Sequence, residues 1–258
     1  MPRREQPAGG SADEALPPKD LRPMLAASAY DLPADDGSHA FEMKWDGVRA
    51  IATVADDALL LQSRNGADIS NRYPELAGMV PALSPHRGVL DGEVVALDGA
   101  GRPSFERLQR RMHVDNPPPA LVGEVPVAFM AFDLLWLDGT LLLDAPYRQR
   151  RALLEGLDLR GPHWDTTASQ TGGGADLFEA SRALGLEGVL AKRVDSRYQP
   201  GVRSRAGQKI KHVAHASLVV GGFLPERSGA GIGSLLLGYH EPGAGSVGML
   251  LRYAGKVG

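Results

Sequence analysis

The chain reads EMKWDGVR at residues 42–49, which places a lysine, an acid, a glycine and an arginine within a few positions. The longer run AFEMKWDGVRAIATVADDALLLQ at 40–62 joins β-compatible segments through an Asp-Gly pair and an Ala-Asp-Asp-Ala turn, a pattern that predicts consecutive antiparallel strands. Lys44 would then stand at the end of the first strand. Taken alone, the pattern also fits a surface hairpin with an ordinary Lys and Arg, so its meaning depends on the rest of the chain.

Lysine is scarce in this chain. Lys and Arg together number 28, and only six are lysines, at positions 19, 44, 192, 209, 211 and 256. Where arginine serves the ordinary surface, a retained lysine indicates a task that guanidinium cannot perform, such as acting as an amine nucleophile. An amine attacks only when it is unprotonated, and the reference pKa of lysine is about 10.4. A nucleophilic lysine therefore needs neighbouring cations that favour its neutral form.

The composition excludes several classes of protein. The 258 residues, 43% of them apolar, are enough for a globular core, and the absence of cysteine excludes disulfides, thiolate nucleophiles and Cys-ligated zinc. The net charge of −3 argues against a generally basic nucleic-acid coat but not against a local basic groove. No apolar run approaches the roughly 20 residues that span a bilayer, and the N-terminus lacks the apolar core of a signal peptide. We therefore expect a bacterial cytoplasmic protein without a membrane segment.

Further motifs follow in order along predicted strands. They are SRNG at 63–66, DGE at 91–93, FD at 132–133, EGVLAK at 187–192 and KIK at 209–211. The periodicity predicts helices at 105–112, 146–157 and 175–184, a buried strand at 127–139, and three short β runs after residue 215. The helix at 105–112 would carry Arg107, Arg110 and Arg111 on a solvated face, where they could contact DNA phosphates.

Together the motifs resemble the covalent nucleotidyltransferase superfamily, and most closely the adenylation domain of ATP-dependent DNA ligases of the bacterial end-joining type. The resemblance runs from about Pro23 to the last residue. It implies an α+β, ATP-grasp-like domain of antiparallel sheets flanked by helices, followed by an incomplete oligonucleotide-binding (OB) fold β-barrel. The implied boundaries are a flexible tail at 1–18, the adenylation domain at 19–214 and the first part of the barrel at 215–258.

The resemblance also implies a role for each matched residue. Lys44 would be the nucleophile that forms a lysyl-adenylate. Glu42 would contact the adenine amino group, and Phe132 would stack on the base. The remaining implied contacts are Arg49 and Arg64 near the ribose and phosphates, Glu93 at the ribose or a metal-bound water, Glu187 as a metal ligand, and Lys192, Lys209 and Lys211 at the phosphates.

Two of these lysines lie close together in sequence. Lys209 and Lys211 are alternate residues of one predicted strand, so they share a face and can direct two positive charges at one phosphate. With Lys192 and a divalent cation held by Glu187, they would favour neutral Lys44 and neutralise charge on the phosphorus. Mg²⁺, or Mn²⁺ in its place, suits this work because Mg²⁺ needs only one or two carboxylates in addition to substrate phosphates.

The implied activity is that of an ATP-dependent DNA ligase. Lys44 would attack ATP and release pyrophosphate, AMP would pass to the 5′-phosphate of a nick, and the 3′-hydroxyl would expel AMP and seal the strand. The implied partners are nicked or broken duplex DNA and end-joining proteins of DNA repair and recombination, with a nucleoid-associated location. Two alternatives stay open. One is an RNA ligase or capping-type nucleotidyltransferase, which nucleotide preference would distinguish, and the other is a catalytically weak DNA-end-binding module.

The chain departs from the family pattern at two points. The family's Trp-x-Lys-x-Lys is replaced by Gly207-Gln208-Lys209-Ile210-Lys211, and the loss of the aromatic residue predicts a hole beside the phosphate-binding strand. The barrel also stops after about three strands, before the Arg-x-Asp-Lys type motif that orients pyrophosphate. Both departures predict reduced activity, with self-adenylation impaired more than the sealing of a pre-adenylated nick.

Overall fold

Strand-forming sequence dominates the chain, and a computed structural model describes residues 16–99, 101–212, 217–226, 229, 231–242 and 248–258. The chain divides into two units, Met1–His212 and Val213–Gly258. Most of the predicted tail, residues 1–15, lies outside the described residues. None of the described helices is both long enough and apolar enough to cross a membrane.

The first unit contains two sheets. One consists of β1 (Leu25–Ala29), β2 (His39–Met43), β9 (Ser169–Thr171), β10 (Gly188–Arg193) and β11 (Arg203–Lys211), in the order β1-β11-β10-β2-β9. The other consists of β3 (Val48–Ala55), β4 (Ala58–Ser63), β5 (Gly88–Ala96), β6 (Val127–Leu137) and β7 (Thr140–Leu141), in the order β4-β3-β5-β6-β7, with β8 (Trp164–Thr166) paired to β6. Most neighbouring strands are antiparallel, as predicted, whereas β1 pairs with β11 and β6 with β8 in parallel.

Two local predictions for the second sheet are confirmed. Strands β3 and β4 form a hairpin, and Asp56 and Asp57 at its turn have φ of 51° and 58°, the left-handed conformation that a two-residue hairpin turn requires. Strand β6 is an almost continuous apolar run that is buried along most of its length. Its residues Phe129, Ala131 and Leu134 belong to the largest apolar core, which explains why this strand does not alternate between polar and apolar residues.

Short helices connect and cover the strands. They are α1 (Met79–Leu83), α2 (Phe105–Gln109), α3 (Pro119–Glu124), α4 (Tyr147–Gly156) and α5 (Gly174–Ala183), with 3₁₀ turns at Asp36–Ser38, Ser70–Arg72 and Pro74–Gly78. The helices predicted at 146–157 and 175–184 are thus present as α4 and α5. Helix α3 lies in a Pro-rich segment whose sequence carries no helical periodicity, and it begins at a proline as helices often do.

The helix predicted at 105–112 is shorter, and the solvated position predicted for Arg111 is wrong, whereas Arg110 is exposed as predicted. Helix α2 begins after Ser104, whose Oγ accepts a hydrogen bond from the Arg107 backbone N–H at 3.4 Å, and it ends at Gln109. Arg111 is fully buried and forms an ion pair with Glu75. Arg110 pairs with Glu124, and Arg107 donates to the carbonyl of Glu124 at 2.7 Å. These side chains hold the surrounding loops together.

The second unit is a three-stranded antiparallel sheet, β12 (Val219–Pro225), β13 (Ile232–Pro242) and β14 (Met249–Val257), with β13 in the centre. These strands confirm the three β runs predicted after residue 215. Several large apolar side chains of this sheet are exposed, among them Phe223, Met249 and Tyr253.

Candidate active site

Strand pairing brings three of the predicted site residues together at one end of the first sheet. Lys44 directly follows β2, and its backbone N–H donates to the carbonyl of Gly188 at 2.9 Å. Gly188 follows Glu187 and is paired with Lys211 in the β10–β11 ladder. One carboxylate oxygen of Glu187 pairs with Nζ of Lys44 and the other with Nζ of Lys211. Residues far apart in the sequence therefore form one charged cluster.

The charges of this cluster are strongly coupled. Burial raises the pKa of the Glu187 carboxyl, but the hydrogen bonds from Lys211 and Lys44 together with their charges outweigh burial, so that its pKa lies below the usual range. The pKa of the Lys209 amine is lowered by burial first and then by the charges of Lys211, Arg203 and Lys44. Lys209 thus shares the electrostatic environment of the cluster.

Lys44 also borders a cavity of about 250 Å³. Asp46 and Glu187 line the same cavity, together with Pro103, Gly185 and Leu186. Among the described residues, no group of three or more His, Cys, Asp or Glu side chains is placed to hold a metal ion. A cation bound here would therefore need ligands from a substrate in addition to the two carboxylates.

A second, narrower cavity of about 60 Å³ lies between the two sheets. Its lining includes Arg49, Phe132 and Lys192 of the predicted site, and also Gly207. Cζ of Arg49 lies 4.4 Å from the Phe132 ring centroid, and Nζ of Lys192 lies 4.6 Å from it. Both cations therefore contact the Phe132 ring in this conformation.

Glu42 holds Lys192 in that position. The Glu42 carboxylate is almost fully buried, and Nζ of Lys192 lies 2.8 Å from Oε1 and 2.7 Å from Oε2. The hydroxyl of Tyr147 also donates to Oε1. Lys192 therefore belongs to a buried network with Glu42 rather than to the cluster of Lys44 and Glu187.

Arg49 is fixed by a carboxylate that the sequence did not single out for a role. Its Nε and Nη2 donate to the two oxygens of the fully buried Asp91, at 2.6 and 2.7 Å. The Tyr198 hydroxyl donates to Asp91 Oδ2 at 2.5 Å and accepts the backbone N–H of Met24 at 2.9 Å. Asp91 lies in the DGE motif, and that motif is the sequence signal that could have identified it. No sequence pattern indicated a role for Tyr198.

Glu93 lies beside the glycine of the EMKWDGVR stretch. A Cβ on Gly47 would lie 2.2 Å from the Val94 carbonyl oxygen and 3.0 Å from Cγ of Glu93, so only glycine fits there. Burial raises the pKa of Glu93 to about 7, which the charges of Arg49 and Lys44 counter only in part. The close approach of Gly47 to β5 thus sets Glu93 near the Lys44 side of the site.

Arg64 lines neither cavity, and among the described residues no hydrogen bond, ion pair or ring contact joins it to the other predicted site residues. It lies in the turn after β4 and its side chain is exposed. Neither the lining of the narrow cavity nor that of the cavity beside Lys44 includes it.

Gly207 replaces the family tryptophan in the lining of the narrow cavity. A Cβ built on Gly207 meets only Ala26, at 3.7 Å or more, and the residue is buried in β11. We expect Gly207→Ala to raise the free energy of unfolding by about 0.4–1 kcal/mol, because it fits and restricts the unfolded chain. Urea unfolding measures the change.

Gly188 supplies the matched control for that substitution. It lies in the neighbouring strand β10 with φ of 147°, and a Cβ there would lie 2.1 Å from the Ile210 carbonyl oxygen. Gly188→Ala should lower the free energy of unfolding by about 1–3 kcal/mol. Destabilisation of both variants by similar amounts would show that the fold has no room for a Cβ at position 207.

Two largely antiparallel sheets with a narrow cavity between them, and a second cavity bordered by Lys44 and Glu187, match the mixed α/β structure of the DNA ligase nucleotidyltransferase domain. The chain belongs to the family described as ATP dependent DNA ligase domain, which matches residues 23–211.

The curated relatives named here are a bacterial end-joining repair protein and a bacterial DNA ligase. The multifunctional non-homologous end joining DNA repair protein LigD of Mycobacterium tuberculosis is 41% identical over 240 residues, which cover 92% of this chain and 29% of that protein. DNA ligase C of the same organism is 37% identical over 246 residues, which cover 91% of this chain and 66% of that protein. The chain thus spans less than a third of the LigD relatives that it matches.

Solved structures agree with this assignment. The crystal structure of the ligase domain from M. tuberculosis LigD has 41% identity and a TM-score of 0.66, over 92% of this chain and 72% of that one. A mycobacterial DNA ligase D complexed with ATP and MES has 40% identity and a TM-score of 0.67, over the same shares of the two chains. A Lig E DNA ligase at 20% identity shares the fold, with a TM-score of 0.62 over 92% of this chain and 84% of that one.

Proposed function

We propose that this chain is the ATP-dependent ligase module of a bacterial end-joining system and that it forms a lysyl-adenylate on Lys44. The observation that carries the proposal is the position of the Lys44 amine, which borders a cavity together with Glu187 and Asp46 and lies beside Lys211. The end-joining relatives and the ATP complex of the mycobacterial ligase support ATP and DNA as substrates.

In the first step the unprotonated Nζ of Lys44 attacks the α-phosphorus of ATP. A P–N bond forms while the bond between the α-phosphorus and the bridging oxygen breaks, and pyrophosphate leaves. Lys44 must leave its ion pair with Glu187 and lose a proton before it attacks. The charges of Lys209 and Lys211 stabilise the developing negative charge, so that positioning and electrostatics dominate the step.

Two further displacements complete the reaction. A 5′-phosphate oxygen of the nicked strand attacks the adenylate phosphorus, which breaks the P–N bond and returns the amine of Lys44. The 3′-hydroxyl across the nick then attacks the activated 5′-phosphate, loses its proton and expels AMP. Each step exchanges one bond at phosphorus for another, so one arrangement of cations can serve all three.

The nucleotide base belongs, in this proposal, to the narrow cavity between the sheets. Phe132, whose ring Arg49 and Lys192 contact, stacks on adenine, and Glu42 receives the adenine amino group. The remaining proposed contacts are Arg49 and Glu93 with the ribose, and Arg64 and Lys192 with the phosphates. The lining of the cavity by Phe132, Arg49 and Lys192 supports this placement.

Mg²⁺, or Mn²⁺, fits the cavity beside Lys44. Glu187 and Asp46 both line it, and Glu93 lies near Asp46, so one or two carboxylates are available together with the phosphates of a bound substrate. When bound, the ion would withdraw charge from the phosphate oxygens. Glu187 is the principal proposed ligand, which requires that it release Lys44 and Lys211.

We expect metal removal by a chelator to abolish adenylation and Glu187→Gln to raise the Mg²⁺ concentration needed for half-maximal labelling by about tenfold or more. The amide keeps the size of the side chain but loses its charge. Glu179→Gln, on the exposed side of α5, is the matched control and should not change the requirement. An unchanged Mg²⁺ requirement in Glu187→Gln would remove Glu187 from the metal site.

The proposed boundaries follow the predicted ones, with an adenylation domain at 19–214 and the first part of an OB-fold barrel at 215–258. The antiparallel sheet β12-β13-β14 supports the second assignment, because consecutive antiparallel strands are the way such a barrel begins. We also propose nicked or broken duplex DNA as substrate, end-joining proteins as partners and the bacterial nucleoid as location, supported by the repair role in the names of the relatives.

Incubation with α-labelled ATP and Mg²⁺ tests the proposed function. The label should survive denaturation of the protein and should pass to the 5′-phosphate of a nicked duplex, whereas α-labelled GTP should give none. Labelling by GTP would favour a capping-type enzyme. Nick binding without any covalent label would instead favour a DNA-end-binding module.

A further inference from the structure

The buried Glu42 carboxylate has two hydrogen-bond donors among the described residues, the Lys192 amine and the Tyr147 hydroxyl. The proposed function assigns Lys192 to the phosphates of the nucleotide, which compete with Glu42 for its positive charge. The Tyr147 hydroxyl carries no charge, so phosphates do not draw it away in the same manner. Tyr147 is therefore the donor that stays with Glu42 when a nucleotide occupies the narrow cavity.

The surroundings of Tyr147 fix its hydroxyl as a donor to Glu42. Tyr147 is fully buried at the start of α4, and its backbone N–H donates to the Ser196 carbonyl at 2.8 Å. Burial raises the pKa of the Tyr147 hydroxyl well above its usual range, and the charge of Glu42 raises it further, so the hydroxyl keeps its proton. Because that proton points to Glu42, the hydroxyl oxygen accepts from Oγ of Ser169 at 3.2 Å. Ser169 lies opposite Glu42 in the β2–β9 ladder, so the direction of donation runs from Ser169 through Tyr147 to Glu42.

Arg151 offers the Glu42 carboxylate another partner if the hydroxyl is removed. It lies one turn after Tyr147 on α4, and its Nη1 is 3.9 Å from Oε1 of Glu42, beyond hydrogen-bond distance. Its other N–H groups donate to the Glu155 carboxylate at 2.7 Å and to the Thr167 carbonyl. A buried charge that loses a donor turns towards the nearest remaining one, since an unpaired charge is costly away from water. Loss of the Tyr147 hydroxyl would thus rotate both oxygens of Glu42 towards Arg151.

We infer that Tyr147 is a positioning residue that sets the selectivity of the site for a 6-aminopurine, an inference that rests on the proposed contact between Glu42 and adenine. A carboxylate accepts hydrogen bonds and donates none. In the position that Tyr147 gives it, the Glu42 carboxylate accepts from an exocyclic amino group and opposes the 6-carbonyl oxygen of guanine or hypoxanthine, which is also an acceptor. A buried polar site discriminates between such groups when its acceptor is held in place by its neighbours.

The test compares the affinities of the full chain for ATP and for purine riboside triphosphate, in which hydrogen replaces the 6-amino group. Both affinities are measured by calorimetry in the presence of a chelator, so that no covalent step follows binding. The parent chain should bind ATP about tenfold or more tightly, as expected for one hydrogen bond to a charged acceptor. In Tyr147→Phe this ratio should fall to about threefold or less, through weaker binding of ATP, because the carboxylate is no longer held in place. Ser169→Ala leaves the Tyr147 hydroxyl less well oriented and should lower the ratio by a smaller factor.

Tyr198→Phe is the matched control. Tyr198 is a buried tyrosine that lines the same narrow cavity, but its hydroxyl donates to Asp91 and not to Glu42. Its removal should weaken the binding of both nucleotides by the same factor and keep the parent ratio. A parent ratio in Tyr147→Phe, an equal fall of the ratio in Tyr198→Phe, or equal binding of the two nucleotides by the parent chain would overturn the inference. If Tyr147→Phe does not fold, a parent ratio in Ser169→Ala would overturn it. Failure of the parent chain to form a lysyl-adenylate with Mg²⁺ would instead count against the proposed function, since the affinities are measured without that step.

Discussion

Lys44→Ala should reduce the covalent label from α-labelled ATP to background, more than about 1,000-fold below the parent chain, which corresponds to about 4 kcal/mol in the barrier. The reason is chemical, because alanine has no group that can form the P–N bond. The label is measured after denaturation and separation of the protein from free nucleotide. Lys44 is partly exposed at the end of β2, so its removal should leave the sheet pairing intact.

Lys44→Arg is the sharper control for this prediction. Guanidinium keeps the positive charge beside Glu187 but stays protonated, so it cannot act as a nucleophile. Loss of label in both variants would assign the covalent step to the Lys44 amine and not to its charge. Parent-level labelling of Lys44→Arg would contradict the proposal and direct attention to the amines of Lys209 and Lys211.

That the motifs form one site could be predicted from the sequence, because each motif is local and the motifs follow one another in the order seen in the ligase family. Lys44, Glu187 and Lys211 were expected at one site, and they form one charged cluster. Their pairing could not be predicted, since it depends on the register of strands that lie far apart in the chain. Val189 is opposite Met43, and a slip of one residue would turn the neighbouring side chains to the other face.

Buried polar partners were the part of the site that the sequence concealed. Tyr147 donates to Glu42 and Tyr198 to Asp91, yet a tyrosine in sequence looks like any other aromatic core residue. The prediction for Arg111 failed for the same reason. Helical periodicity placed Arg111 among solvated arginines, whereas the fold buries it against Glu75. Local patterns record which residues can be buried, and the long-range fold decides which polar group each one meets.

Arg150→Ala should lower the free energy of unfolding of the first unit by about 3–5 kcal/mol, because it leaves the buried carboxylate of Asp133 without its partner. Nε and Nη2 of Arg150 donate to the two oxygens of Asp133 at 2.7 and 2.9 Å. Nη1 donates to the carbonyls of Ala145 and Ser196 at 2.6 and 3.0 Å. The guanidinium thus joins β6, α4 and the segment after β10 beneath the narrow cavity.

Urea unfolding followed by tryptophan fluorescence measures this change, since all three tryptophans lie in the first unit. Arg148→Ala removes an exposed arginine from the same helix and should change the free energy by less than about 0.5 kcal/mol. Arg150→Met combined with Asp133→Leu should recover most of the loss, because two apolar side chains leave no unpaired charge. Equal effects of Arg150→Ala and Arg148→Ala would mean that the Asp133 carboxylate finds water or another donor when Arg150 is absent. A full loss in the double variant would mean that the bonds to Ala145 and Ser196, and not the ion pair, hold these elements together.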